Sequence, residues 1–195
     1  MTAPDRPAAA RAIEAFLRAI GRDPDSEPEL RGTGGRVADA FLDELSAGYA
    51  IDTRAIIEGA AIDAGAGEAN SGSPLVVLRE LPVVTTCPHH LMPASGTADV
   101  AVQAHSRLVG IGAIADLVDA HARRLTLQEQ IGEAVVADLD AVLSPAWVAC
   151  RLRLTHGCFV ARRGRSVATR IETLAVRNVA ATVAATLFSA DGPAR

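Results

Sequence analysis

The feature that most limits how this chain can fold is a pair of cysteine and histidine clusters lying far apart in sequence. Thr86-Cys87-Pro88-His89-His90 is answered downstream by Thr155-His156-Gly157-Cys158. Together they hold two of the chain's three cysteines and three of its five histidines, which scattered placement would seldom produce. Thiolate sulfur and imidazole nitrogen are preferred zinc ligands, and a catalytic zinc takes three protein ligands while leaving its fourth position to water. Cys87, His90 and Cys158 would make such a Cys2His site, provided that the fold brings the two clusters together. His89 and His156, if turned toward a substrate, are imidazoles whose ordinary pKa suits proton transfer near neutrality. The plainer alternative is that the cysteines are buried small hydrophobes and the histidines ordinary surface or core residues.

Local signals place both clusters at strand ends. Pro88 disfavours a helix through Cys87. Residues 75–86, dense in Val and Leu, predict a strand running into Cys87, and the alternation over 96–105 predicts an antiparallel partner. Residues 147–155 alternate Val148, Cys150, Leu152 and Leu154 against polar or small positions, a half-buried strand that delivers His156 and Cys158 at its end. Residues 167–176 read as its partner, and 177–190 as a closing helix. Between the strand pairs, apolar spacing predicts helices over 110–124 and from Leu127 to Val142. Thr126 and Glu129 have capping-box spacing at the start of the second.

The N-terminal part reads as helical. Asp5-Arg6-Pro7 opens a helix carrying Ile13, Phe16, Leu17 and Ile20 before Gly21. Residues 22–35 read as a connection. Val37, Phe41 and Leu45 recur every four residues on a second helix ending near Gly48, and 52–64 suggest a short third. The stretch 65–74, rich in Gly, Ser and Asn, is read as a loop, which divides the chain into a helical region, 1–73, and a catalytic domain, 74–195.

Composition removes several classes of function. A net charge of −4 with no obvious basic face argues against nucleic acid as a non-specific partner. No apolar run approaches the roughly 18 residues of a membrane span, and residues 1–11 lack an apolar signal core. Three cysteines make a poor disulfide framework, so a reducing cytoplasm is expected, with Cys150 read as core. All 19 basic residues are arginine, so any grip on phosphate is made by arginine or backbone.

At these residues the sequence resembles the GTP cyclohydrolase I family. Its Cys-x-His-His motif is matched by Cys87-Pro88-His89-His90, its His-x-Cys motif by His156-Gly157-Cys158, and its Val-Gln-Glu element by Leu127-Gln128-Glu129. The Val-x-x-Ala-Phe pattern at 37–41 and Ala-Arg-Arg at 122–124 extend the likeness. The resemblance implies zinc held by Cys87, His90 and Cys158, acid/base work by His89 and His156, and guanine held by Gln128 and Glu129. It implies water addition at C8 of GTP, release of formate and closure to dihydroneopterin triphosphate. The fold implied is α+β, the tunnelling fold: an antiparallel sheet with two helices on one face, here with an N-terminal helical extension, assembled as homodecamers with sites between subunits.

The chain departs from the family where phosphate is held. Gly110-Ile111-Gly112-Ala113 replaces the family's Gly-Leu-Ser-Lys, and Asp116 stands at an arginine position, so three phosphate contacts are lost and a negative charge is added. Arg162 matches the family's arginine after the second cysteine, with Arg163 and Arg165 nearby. Two other readings follow: a cyclohydrolase acting on a less phosphorylated or different purine, and a non-catalytic zinc-binding barrel subunit. A zinc nucleoside deaminase is disfavoured, since its His-x-Glu and Pro-Cys-x-x-Cys pairing is absent.

Overall fold

Asp5 opens the first helix as expected. In a computed structural model that describes residues 3–63, 74–163 and 167–189, its carboxylate accepts from the Ala8 N–H at 2.8 Å, and Pro7 occupies the first turn of α1 (Arg6–Ala19). The apolar stripe of α1 is only partly covered, for Phe16 and Ile20 remain exposed. The stretch read as a connection is more ordered than its prolines and glycines suggest. A 3-10 turn spans Pro28–Leu30, and α2 (Thr33–Asp39) begins inside it. Gly34 lies so close to α1 that a Cβ there would sit 2.5 Å from the Ala10 carbonyl oxygen. That glycine serves helix–helix contact, which composition alone reads as a loop.

The second helix does not run regularly to Gly48. It widens into a π-helical segment, Ala40–Leu45, and ends in a 3-10 turn, Ala47–Ala50, where the Gly48 N–H donates to the Arg123 carbonyl at 2.9 Å. Asp52 then caps α3 (Thr53–Ala60), which stops four residues short of expectation because the chain turns into β1 (Ala61–Asp63). Nearly all of the loop read at 65–74 lies outside the described residues.

The main sheet is a four-stranded antiparallel one. It consists of β2 (Leu75–Cys87), β3 (Met92–Gln103), β5 (Trp147–His156) and β6 (Ile171–Arg177), in that spatial order. The short β4 (Arg107–Val109), which carries no strong sequence signal, pairs with β1 in a separate two-stranded sheet. β3 starts four residues earlier than its alternation suggests, because the turn after Cys87 pairs it from Met92 onward. β6 starts four residues later than read, at Ile171.

Alternation sorts the two faces of this sheet. Ala98, Val100 and Val102 of β3, with Val148, Cys150, Leu152 and Leu154 of β5, face α4 (Ile111–Ala122) and α5 (Gln128–Leu143). Ile114, Leu117, Ile131, Val135 and Leu139 close this core from the helix side, each at 1% exposure or less. Cys150 is fully buried in it, and burial pushes its thiol up to about 12. Two helices on one face of an antiparallel sheet form the α+β arrangement of the tunnelling fold that the family resemblance implied. The closing helix, α7 (Ala181–Ser189), starts four residues late, after Asn178 turns the chain at φ 62°, and packs Ala184 and Phe188 on the opposite face against Ala101 and Ala149.

That opposite face also carries a buried ion pair. Asp99 of β3 accepts from Arg151 of β5 at 2.5 and 3.0 Å, and its other oxygen accepts from the Glu80 N–H at 2.8 Å. Glu80 sits at φ 55° in the bulge between Leu78 and Leu81, so Asp99 satisfies the backbone group that the bulge removes from the ladder. Among the described residues no helix is long and apolar enough to cross a membrane.

Candidate active site and metal centre

The first cluster is shaped by a tight hairpin. Cys87 ends β2 opposite Met92, and residues 88–91 form the turn, closed by Leu91 N–H donating to the Cys87 carbonyl at 2.9 Å. Leu91 itself adopts φ 51°, a left-handed conformation that costs a non-glycine residue on the order of 1 kcal/mol or more. The turn lifts His89 and His90 into exposed positions, their rings edge to face with centroids 6.3 Å apart.

The second cluster arrives from β5. Ala94 of β3 pairs with His156 on one side and with Thr85 of β2 on the other, so Thr85, Ala94 and His156 form one row across three strands. Cys158 lies one step further, in the first turn of the short helix α6 (Gly157–Arg163). The register thereby carries the second cluster across β3 to the first.

The ligand atoms of Cys87, His90 and Cys158 lie within 4.8 Å of one another, with Cys87 Sγ 3.9 Å from Nδ1 of His90. Tetrahedral zinc with Zn–S near 2.3 Å and Zn–N near 2.0–2.1 Å places its ligand atoms roughly 3.5–3.8 Å apart, so closure by about 1 Å at the widest pair would accommodate it. The charge balance points the same way. Burial, and after it the facing Cys87, pushes the Cys158 thiol up, and a dication supplies the opposing charge that favours its thiolate. Two thiols and an imidazole are donors that suit zinc, and three of them leave a position open.

A third element completes the site. Thr86 bridges to Leu125, which brings the start of α5 beside the hairpin. A cavity of about 260 Å³ lies there, lined by Cys87, His89, His90, Glu129, His156 and Cys158 among others. Thr85 also lines it, buried and with no hydrogen-bond partner for its hydroxyl among the described protein atoms. Burial pushes the pKa of His156 down, with the Glu129 carboxylate opposing the shift.

The cap of α5 is not the one its sequence spacing suggested. Gln130, not Glu129, closes the turn: its Oε1 accepts from the Leu127 N–H and from the Thr126 hydroxyl, both at 3.1 Å. Glu129 is exposed beside the cavity and makes no hydrogen bond with the described residues. The motif matched, but the box is offset by one residue.

Gln128 and Arg162 are placed differently from the other candidate residues. Gln128 lines the cavity, yet it is buried and its amide is engaged at both ends by protein groups, His156 among them. Arg162 is not among the lining residues, and its Nη1 lies 2.5 Å from Nε2 of His90. The side chain of Arg163 and the whole of Arg165 lie outside the described residues. The altered stretch from Gly110 to Asp116 forms the first turns of α4, with Ile111, Gly112 and Asp116 exposed and Ala113 buried.

Sheet, helices and the convergent Cys87, His90 and Cys158 define a candidate metal site at the strand ends of an α+β fold. The chain belongs to the GTP cyclohydrolase I family, whose profile matches residues 9–187. It is 36% identical over 177 residues to the GTP cyclohydrolase 1 of Leifsonia xyli subsp. xyli, covering 91% of this chain and 89% of that one. It is likewise 36% identical over 156 residues to that of Synechococcus sp. (strain JA-3-3Ab), covering 80% of this chain but 65% of the relative's length. The enzyme of Leptospira biflexa is 33% identical over 150 residues. A solved structure of the archaeosine synthase QueF-Like in the apo form covers 57% of this chain at 17% identity with a TM-score of 0.43, too distant a likeness to bear on the site. The Cys87, His90 and Cys158 cluster matches the zinc site of the family.

Proposed function

We propose that this chain is a zinc-dependent GTP cyclohydrolase I, opening the imidazole ring of GTP at C8 with release of formate and closing the product to 7,8-dihydroneopterin triphosphate. The observation that carries the reading is the convergence of Cys87, His90 and Cys158 on one point beside His89, His156 and Glu129, in a chain of this family. Cys87, His90 and Cys158 would hold the metal. Zinc bound there supplies the Lewis acidity that makes water a nucleophile near neutral pH. The carboxylate of Glu129, free of any capping duty, would accept from the ring N–H and amino group of guanine, a bidentate charge-assisted pairing. His156, whose pKa burial pushes down, would take and return protons during ring opening, and His89, which also lines the cavity, would serve the later steps.

A second reading is favoured by one observation. The cavity lining among the described residues contains no arginine, and Asp116 adds a negative charge at the start of α4. A less phosphorylated purine would need fewer cations than a triphosphate, since a hydrogen bond to a charged group is worth about 1.5–3 kcal/mol.

Assembly follows the family in this proposal. β2 and β6 are edge strands of the main sheet, and Ile62, Ile111 and Val183 are exposed, which suits a homo-oligomer, expected to be a decamer, with sites completed by neighbouring subunits. We place the protein in the cytoplasm. Residues 1–73 would act as a helical extension to a catalytic domain formed by 74–195.

The test is metal content and formate release for wild type and Cys158→Ala, with guanosine mono-, di- and triphosphate as substrates. One zinc per subunit and formate from GTP, both lost in the variant, are expected. Full activity without zinc overturns the proposal, and preference for the monophosphate selects the second reading.

A further inference from the structure

We infer that Gln128 serves the reaction through His156, as a positioning residue that fixes which imidazole nitrogen carries the proton, rather than by touching the purine. An amide side chain has one end that donates and one that accepts, and its surroundings tell them apart. One end of Gln128 lies 3.2 Å from the Leu152 carbonyl oxygen, 3.0 Å from the Ile171 carbonyl oxygen and 3.2 Å from Oγ1 of Thr173. Carbonyl oxygens only accept, so this end is the NH2 group, with its two N–H bonds shared among three acceptors. The other end is then Oε1, and it lies 2.9 Å from Nε2 of His156.

An amide oxygen cannot donate, so Nε2 of His156 must carry the hydrogen. In the neutral ring the lone pair is therefore on Nδ1, which becomes the nitrogen that accepts a proton. When Nδ1 is protonated, Nε2 still donates to Oε1, so the contact survives both states of the ring and nothing has to rearrange between them. A carboxylate in the same place would orient the ring but add a negative charge, whereas an amide orients it without one. The anchoring is rigid, because Leu152 and Ile171 contribute backbone atoms of β5 and β6, and β5 itself ends in His156. Gln128 is 3% exposed, and both of its amide ends are already engaged by protein groups. Glu129 next to it is exposed and unbonded, which leaves it as the side chain of this pair that can read guanine.

The inference rests on the acid/base role proposed for His156, but its first test does not. In zinc-loaded protein with 15N-labelled histidine, the His156 signals, assigned by their loss in His156→Asn, are expected to show the neutral ring protonated at Nε2. A ring protonated at Nδ1 overturns the proposal, whatever the substrate proves to be. The second test is kinetic. Gln128→Leu is expected to lower kcat for formate release by about tenfold or more with KM within about threefold, whereas Glu129→Gln raises KM. A Gln128→Leu enzyme with raised KM and unchanged kcat overturns the proposal. If that variant does not fold, the wild-type tautomer still decides. Failure of wild type to release formate counts against the proposed reaction and leaves the tautomer result standing.

Discussion

Gly157 lies between His156 and Cys158, and replacing it with alanine tests whether the metal cluster depends on how closely β5 approaches β3. A Cβ at this position would sit 2.8 Å from the Pro93 carbonyl oxygen, where ordinary contact begins near 3.4 Å. The obstacle is backbone at the start of β3, where Pro93 pairs with Thr86, not the movable end of a side chain. Either the start of β3 or the start of α6 must yield by about 0.6 Å, and Cys158 moves with Gly157 while Cys87 stays with the β2–β3 hairpin. Metal–ligand distances tolerate only about ±0.2 Å. A displacement of that size adds to the closure of about 1 Å that zinc already requires of the widest pair, so Gly157→Ala is expected to weaken zinc binding by roughly 10–100-fold, the range seen when a group that orients a ligand is lost. Competition against a chromophoric chelator measures this directly, with circular dichroism confirming that the variant is folded. A folded variant that binds zinc within threefold of wild type would refute the account of how the cluster is assembled.

Two further outcomes concern the scaffold. Asp99→Asn keeps an acceptor for the Glu80 N–H but removes the buried carboxylate charge that Arg151 and Arg153 face, so it should cost about 3–5 kcal/mol in urea unfolding; a loss under about 1 kcal/mol would contradict the pairing. His121 of α4 is buried against Asp138 of α5, which also accepts from Thr53 and Arg54 of α3, with Arg124 nearby. Burial pushes the pKa of His121 down, so below its ordinary value near 6.5 the unfolded chain binds the extra proton and stability falls as pH drops. Asp138 is held below the usual carboxylate range by its hydrogen bonds, so its contribution is present at neutral pH and lost at more acidic pH. The fall in urea midpoint between pH 7.5 and 5.5 should be smaller in His121→Gln than in wild type, and equal falls would contradict this assignment.

Much of this was legible in the sequence because the informative signals are local. Period-two alternation marks β5 through Val148, Cys150, Leu152 and Leu154, and the 3.6 period marks α4 and α5. The convergence of Cys87 and Cys158 was legible only as a requirement of zinc chemistry, since nothing local to either cluster encodes the β2–β3–β5 register that joins them. Strand ends were missed by about four residues at β3 and β6, where pairing and not composition sets the limit. The capping reading of Glu129 failed because two helix starts one residue apart, Thr126 and Leu127, share the same side chains, and only the backbone decides between Glu129 and Gln130 as the partner. The engagement of Gln128 with His156 had no sequence signal, because its partners are strand carbonyls from β5 and β6, contributed by Leu152 and Ile171.

The most direct measurement of the central claim is to incubate the zinc-loaded protein with GTP and quantify formate together with the fluorescent oxidised pterin. The account predicts both products in equal amounts. No formate from GTP, in protein shown to hold one zinc per subunit, would contradict it.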